Sequence, residues 1–183
     1  MPEIRVVTSG GAIVGATVSR VDGSGSRIFT DSDGTFDYSL LGGGGPIAVD
    51  GGIEKSTGLA FVGYLSAPAS YSVISPISSL VQALVDSGDS LTSAETSIRE
   101  SLGLSISHLS KFNSAAEFAL ETNGAFEFYV AEVLVKTVVP RLQHCTTMRP
   151  SVSYIALRSR LIFKSLLVYQ LSARSSAARK HGR

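Results

Sequence analysis

The sequence predicts an α+β protein: a small antiparallel β-sandwich of about six or seven strands, followed by a helical subdomain of about four or five helices packed on it. Two observations lead there. Up to about residue 75 apolar side chains alternate with polar ones between glycine-rich turns, and 14 of the 18 glycines lie before residue 64. After Pro68 the apolar residues recur at three- and four-residue spacing, the period of a helix. The implied boundaries are 1–67 for the sandwich, 68–139 for a helical cap and 140–183 for a basic C-terminal segment that also reads as helical. A chain of 183 residues buries roughly two-thirds of its unfolded surface, enough for a core without covalent staples.

The strands come first. Val14, Ala16 and Val18 alternate with Gly15, Thr17 and Ser19, and Phe36, Tyr38 and Leu40 alternate with Thr35, Asp37 and Ser39. Both patterns are those of half-buried strands. Asp31-Ser32-Asp33-Gly34 lies between Arg27–Thr30 and Thr35–Tyr38 and predicts a hairpin, because glycine reaches the positive φ of a tight turn. Gly42 to Gly45 with Pro46 reads as a flexible connection into a short strand, Ile47-Ala48-Val49. From Gly58 to Leu65 both alternating sets are apolar (Leu59, Phe61 and Leu65; Ala60, Val62 and Tyr64), which predicts a strand covered on both sides.

The helices follow. Ser75-Pro76 provides an N-cap and a proline at the first helical position. Ile77, Leu80, Val81, Leu84 and Val85 then line one face before Gly88 ends the turn. Thr92 and Glu95 form a capping box for a second helix with Ile98 and Leu102 on one face and Gly103 as terminator. Ser114 with Glu117 opens a short helix ending near Asn123-Gly124, and Ala125 to Val139 continues helically until Pro140. The stretch from Ser151 to about Ser175 reads as the last helix. Its longest uncharged run, Ser165 to Ala173, has nine residues, far short of the roughly 20 that cross a bilayer.

Charge divides the chain where the total hides it. A formal net charge of +1 conceals 6 basic and 15 acidic residues in 1–132 against 10 basic and no acidic residues in 133–183. Arg141, Arg149, Arg158, Arg160, Lys164, Arg174, Arg179 and Lys180 are therefore the candidate residues for an anionic membrane surface or an acidic protein partner. Nucleic acid is disfavoured, since the aromatic and glycine signatures of RNA-binding modules are missing. The basic segment packing against the acidic remainder of the same chain is the internal alternative.

Catalytic chemistry finds no convergent set, and an enzyme is not expected. There are 29 serines but no GxSxG elbow, and His108, His144 and His181 fall in a helix flank, a loop and a tail. His144 and Cys145 are neighbours, so their side chains diverge in an extended chain. The single cysteine permits neither an internal disulfide nor a cysteine-built zinc site. Gly51 to Thr57 superficially resembles the end of a phosphate loop, but Glu54 stands where glycine is needed. Asp31 and Asp33, which Asp22 and Asp37 could supplement, are the candidate metal ligands, with Asp22 the preferred third, and Ca2+ is the cation such oxygens would take. The third ligand before the glycine and the acidic residue at the twelfth position are missing, and aspartates of an ordinary turn are the favoured reading; no cofactor is expected. The start, MPEIRVVTSGG, holds Glu3 and Arg5 and no apolar run of leader length, so no signal peptide is expected in the chain as it stands.

Gly15-Ala16-Thr17-Val18 followed by Thr30-Asp31-Ser32-Asp33-Gly34-Thr35-Phe36 resembles the β-sandwich repeat of carboxypeptidase-regulatory-like and transthyretin-like domains. The block from Gly51 to Gly63, then Leu65-Ser66-Ala67-Pro68 and Val73 to Val81, is similar to a module of large, repetitive, adhesin-like bacterial proteins in which a small sandwich precedes a helical cap. The resemblance covers about residues 10–139. It implies an extracellular, non-catalytic module that contacts neighbouring modules or a protein partner.

Overall fold

A computed structural model describes residues 3–8, 11–42, 44–106, 108–113, 127, 129–133 and 135, and within them the protein is α+β. Nine strands come first: β1 (Glu3–Thr8), β2 (Gly11–Val14), β3 (Thr17–Arg20), β4 (Ile28–Phe29), β5 (Thr35–Asp37), β6 (Ile47–Asp50), β7 (Ile53–Glu54), β8 (Tyr64–Ala67) and β9 (Val73–Ile74). The helices α1 (Pro76–Asp86) and α2 (Leu91–Leu102) follow, and residues 127, 129–133 and 135 are helical too. Three α-helical stretches are thus described where about four or five are expected from the periodicity. The expected helices at 114–124 and 151–175 lie outside the described residues.

One sheet has the order β5-β1-β2-β7 with β9 on β1, and the other the order β4-β3-β6-β8. Among the described strands only the β1–β9 pair is parallel. Successive strands repeatedly change sheet, which corrects several expectations. Val14 to Ser19 is not one strand: Gly15 at φ 66 turns the chain, and β3 starts in the other sheet. The Asp31–Gly34 turn forms, with Gly34 at φ 73, yet it is not a hairpin, since β4 pairs with β3 and β5 with β1. The alternation after Thr35 stops at Asp37, whose carboxylate accepts the Ser39 amide at 2.9 Å and caps a 3-10 turn over Tyr38–Leu41. Between Gly58 and Leu65 only Tyr64 onward is strand, and Leu59 and Val62 are 67% and 90% exposed, so that run is not a covered strand.

A single apolar cluster extends from Ile4 through Val18, Val49, Leu65 and Ile74 to Ile77, Val81, Ile98 and Ala131. It joins both sheets to the helices, so the segments 1–67 and 68–139 share one core. Helix α1 starts as its sequence requires. Ser75 and Ser78 form a reciprocal capping box and Pro76 sits in the first turn. Two serines of the first helical turn, Ser78 and Ser79, finish the sheet: the Ser66 amide of β8 donates to Ser79 Oγ at 2.9 Å, and Ser66 O accepts from Ser78 Oγ at 2.7 Å. Backbone groups of an edge strand are thereby satisfied by helix side chains. In α2 the cap is Ser90, which accepts the Ser93 amide, so the helix begins before the Thr92 expected to cap it; Gly103 terminates it at φ 66 as expected.

Candidate functional site

The four-stranded sheet has two ends of different chemistry. At one, Arg20 closes β3 with its side chain buried at 6% exposure. The guanidinium donates through Nη2 to Gly44 O and through Nε to Ser24 Oγ at 3.1 Å, with the Asp22 carboxylate 3.6 Å from Nε. Tyr38 Oη accepts the Gly45 amide at 2.9 Å and lies 3.0 Å from Gly45 O, to which it can donate. Two of the four glycines read as a flexible connection, Gly44 and Gly45, are thus clamped between a cation and a phenol. A Cβ on Gly45 would collide with Arg20 Nη2, so a side chain at that position would displace the guanidinium.

At the other end the chain crosses between sheets. Thr30, buried at 4% exposure, ties two crossings together: its Oγ1 donates to Ile13 O at 2.8 Å and accepts the Ala16 amide at 2.9 Å. Asp31 caps the following turn, Oδ1 accepting the Asp33 and Thr35 amides at 2.8 and 2.9 Å and Oδ2 the Thr35 hydroxyl at 2.7 Å. Gly52, at φ 96, crosses so close to β2 that a Cβ would stand 2.8 Å from Val14 O. Glu54 is buried and accepts the Thr57 hydroxyl at 3.1 Å, and the Gly58 amide returns to Glu54 O at 2.8 Å. The segment that superficially resembles a phosphate loop is therefore a tight turn on its own glutamate.

Around this crossing end lies an exposed apolar band. Phe29, Thr17, Asp50 and Tyr64 are directly paired across β4, β3, β6 and β8, so they share one face of the sheet. Their chain neighbours Val18, Val49 and Leu65 point into the core. Phe29 and Tyr64 are 68% and 56% exposed, and Ile53, Leu59 and Val62 on the adjoining strand and loop are exposed as well. Phe61 is half-buried, its ring folded against Gly63, where a Cβ would come within 2.9 Å. Partial burial raises the Tyr64 hydroxyl above its ordinary range, and the Asp86 and Asp50 carboxylates act in the same direction. Singly exposed apolar residues need no explanation, whereas several exposed together are the kind of surface through which proteins make contacts.

The sequence-predicted ligands separate along β3. Asp31 and Asp33 share the turn at the crossing end, while Asp22 follows Arg20 at the opposite end. Asp22 accepts the Ser24 hydroxyl and amide at 2.7 and 2.9 Å, which hold its carboxyl below the usual range, and Asp33 pairs with Lys55 at 2.8 Å. Among the described residues no three His, Cys, Asp or Glu gather to hold a metal ion. His108 is exposed beyond α2, whereas His144, Cys145 and His181 lie outside the described residues. The basic candidates Arg141, Arg149, Arg158, Arg160, Lys164, Arg174, Arg179 and Lys180 lie outside them too. No helix among the described residues is long and apolar enough to cross a membrane.

Sequence reasoning missed the band because it assigned Leu59, Val62 and Tyr64 to a buried strand. The available signal was Gly58 and Gly63, which bracket the apolar residues and interrupt a ladder. Comparison with family models, curated proteins and solved structures returns no match for this chain.

Proposed function

We propose that the protein is a non-catalytic structural or adhesive module of a surface or secreted protein, a small sandwich of its two sheets with the helices as cap. It meets its neighbours through the apolar band. The exposure of Phe29 and Tyr64 at one end of the four-stranded sheet, together with that of Ile53 on β7 and of Leu59 and Val62 in the loop leading to β8, carries this reading. The core supports it: one continuous cluster through sheets and helices makes a stiff body suited to spacing and presenting a surface. The resemblance of Gly15–Val18 and Thr30–Phe36 to transthyretin-like repeats supports the extracellular setting.

Adsorption of the full chain to an alkyl-coated sensor in about 0.5 M salt, where the charge attraction between the basic C-terminal segment and the acidic body is screened, tests the reading. The triple variant Leu59→Ser/Val62→Ser/Tyr64→Ser should bind on the order of tenfold more weakly, about 1.4 kcal/mol, with a melting temperature close to that of the parent. Equal adsorption by parent and variant would end the proposal.

A further inference from the structure

The band has an acidic margin. Asp50 stands in the exposed row beside Tyr64, and Asp86 ends α1, whose last turn contains no basic residue. Asp50 is paired directly with Tyr64, and α1 is held against β8 where Ser78 and Ser79 bond the Ser66 backbone. A helix C-terminus already carries partial negative charge, so Asp86 adds to it unopposed within that helix. The surface therefore asks for an occupant both apolar and cationic.

The chain contains such a segment. Residues 133–183 hold ten Lys and Arg and no Asp or Glu, interleaved with apolar runs such as Leu161-Ile162-Phe163 and Leu166-Leu167-Val168-Tyr169. Its charge of +10 is matched by −9 over residues 1–132. Reach is ample. The 48 residues after Val135 span up to about 160 Å when extended, against a diameter of roughly 35–40 Å for a compact body of this size.

We propose that the apolar band, with Asp50 and Asp86 on its margin, is the docking surface for residues 141–183 of the same chain. This rests on the band being a contact surface and names its occupant.

Zero-length carbodiimide coupling on the intact chain, read by mass spectrometry, tests this through the amines of Lys164 and Lys180. The expected result is coupling of Asp50 or Asp86 to these lysines within monomers, weakened roughly tenfold between low salt and 0.5 M salt as screening lengths shorten. The Leu59→Ser/Val62→Ser/Tyr64→Ser chain should lose the same couplings. Couplings only between molecules, couplings to other carboxylates but not to Asp50 or Asp86, or couplings unchanged in the triple variant would each overturn the proposal. So would lysines that couple to nothing on the body while the chain binds phosphatidylglycerol vesicles, which would make a lipid surface the partner. If the alkyl-sensor test succeeds and the coupling fails, the contact surface stands without this occupant; if both fail, both readings fall.

Discussion

The two ends of the four-stranded sheet use the same glycine-rich vocabulary for opposite purposes. At the Arg20 end, the Arg20 guanidinium occupies the space a Gly45 side chain would need, and it and the Tyr38 phenol bind the backbone of Gly44 and Gly45. At the crossing end, Gly52 has no side chain because the β2 backbone passes against it, and the loop beyond it carries its apolar groups outward. The first end is polar inside and closed; the second is tightly turned underneath and apolar outside. Buried polar side chains therefore close one end, while apolar side chains are exposed at the other.

The largest test of this contrast is Arg20→Ala. It removes the donor to Gly44 O and Ser24 and leaves a hole against the glycine loop. A loss of about 3 kcal/mol is expected in urea unfolding; a loss below about 1 kcal/mol would mean the clamp behaves as a surface ion pair. Gly52→Ala probes the other end and comes next, at about 2–3 kcal/mol, because its φ of 96 and its 2.8 Å approach to Val14 O both resist a side chain. Gly51→Ala is the control. Its φ of 66 is equally left-handed but its space is open, so about 1 kcal/mol is expected there. Equal losses at the two positions would show that conformation alone, and not the close crossing, sets the cost.

The same contrast explains what was legible in the sequence. Helix α1 was, because Ser75, Pro76 and the spacing from Ile77 to Val85 are local signals acting within a few residues. The Asp31–Gly34 turn was legible too, since Asx bonds and a positive-φ glycine are chosen by that tetrapeptide. Which strands the turn joins was not, because β4 and β5 find partners elsewhere in the chain and nothing in the turn specifies them. Arg20 carries no motif at all; its burial follows from the glycine loop folding over it. Asp22 and Asp31 look close in sequence, but β3 and β4 place them at opposite ends of a strand pair, so the grouped metal ligands read from the sequence are dispersed. Apolar composition from Gly58 to Leu65 says what is present and not which way it faces.

A smaller effect extends the comparison to the connection leaving β8 at the Arg20 end. Tyr71 is almost fully buried, and its hydroxyl donates to Glu95 of α2 at 2.7 Å, a second polar lock on that side. Burial and the Glu95 hydrogen bond raise the Tyr71 hydroxyl well above the ordinary tyrosine range. The folded protein thus keeps this proton where the unfolded chain releases it, above about pH 10. Stability contributed by the group is whole below that pH and declines as pH rises further, because the folded state then binds more protons than the unfolded one. Tyr71→Phe should cost about 1–2 kcal/mol at neutral pH and make the alkaline decline shallower, as measured by urea midpoints between pH 7 and 11. A variant that costs as much but keeps the parent's alkaline slope would place the loss in packing, and the hydrogen bond to Glu95 would then not be what locks the strand connection to α2.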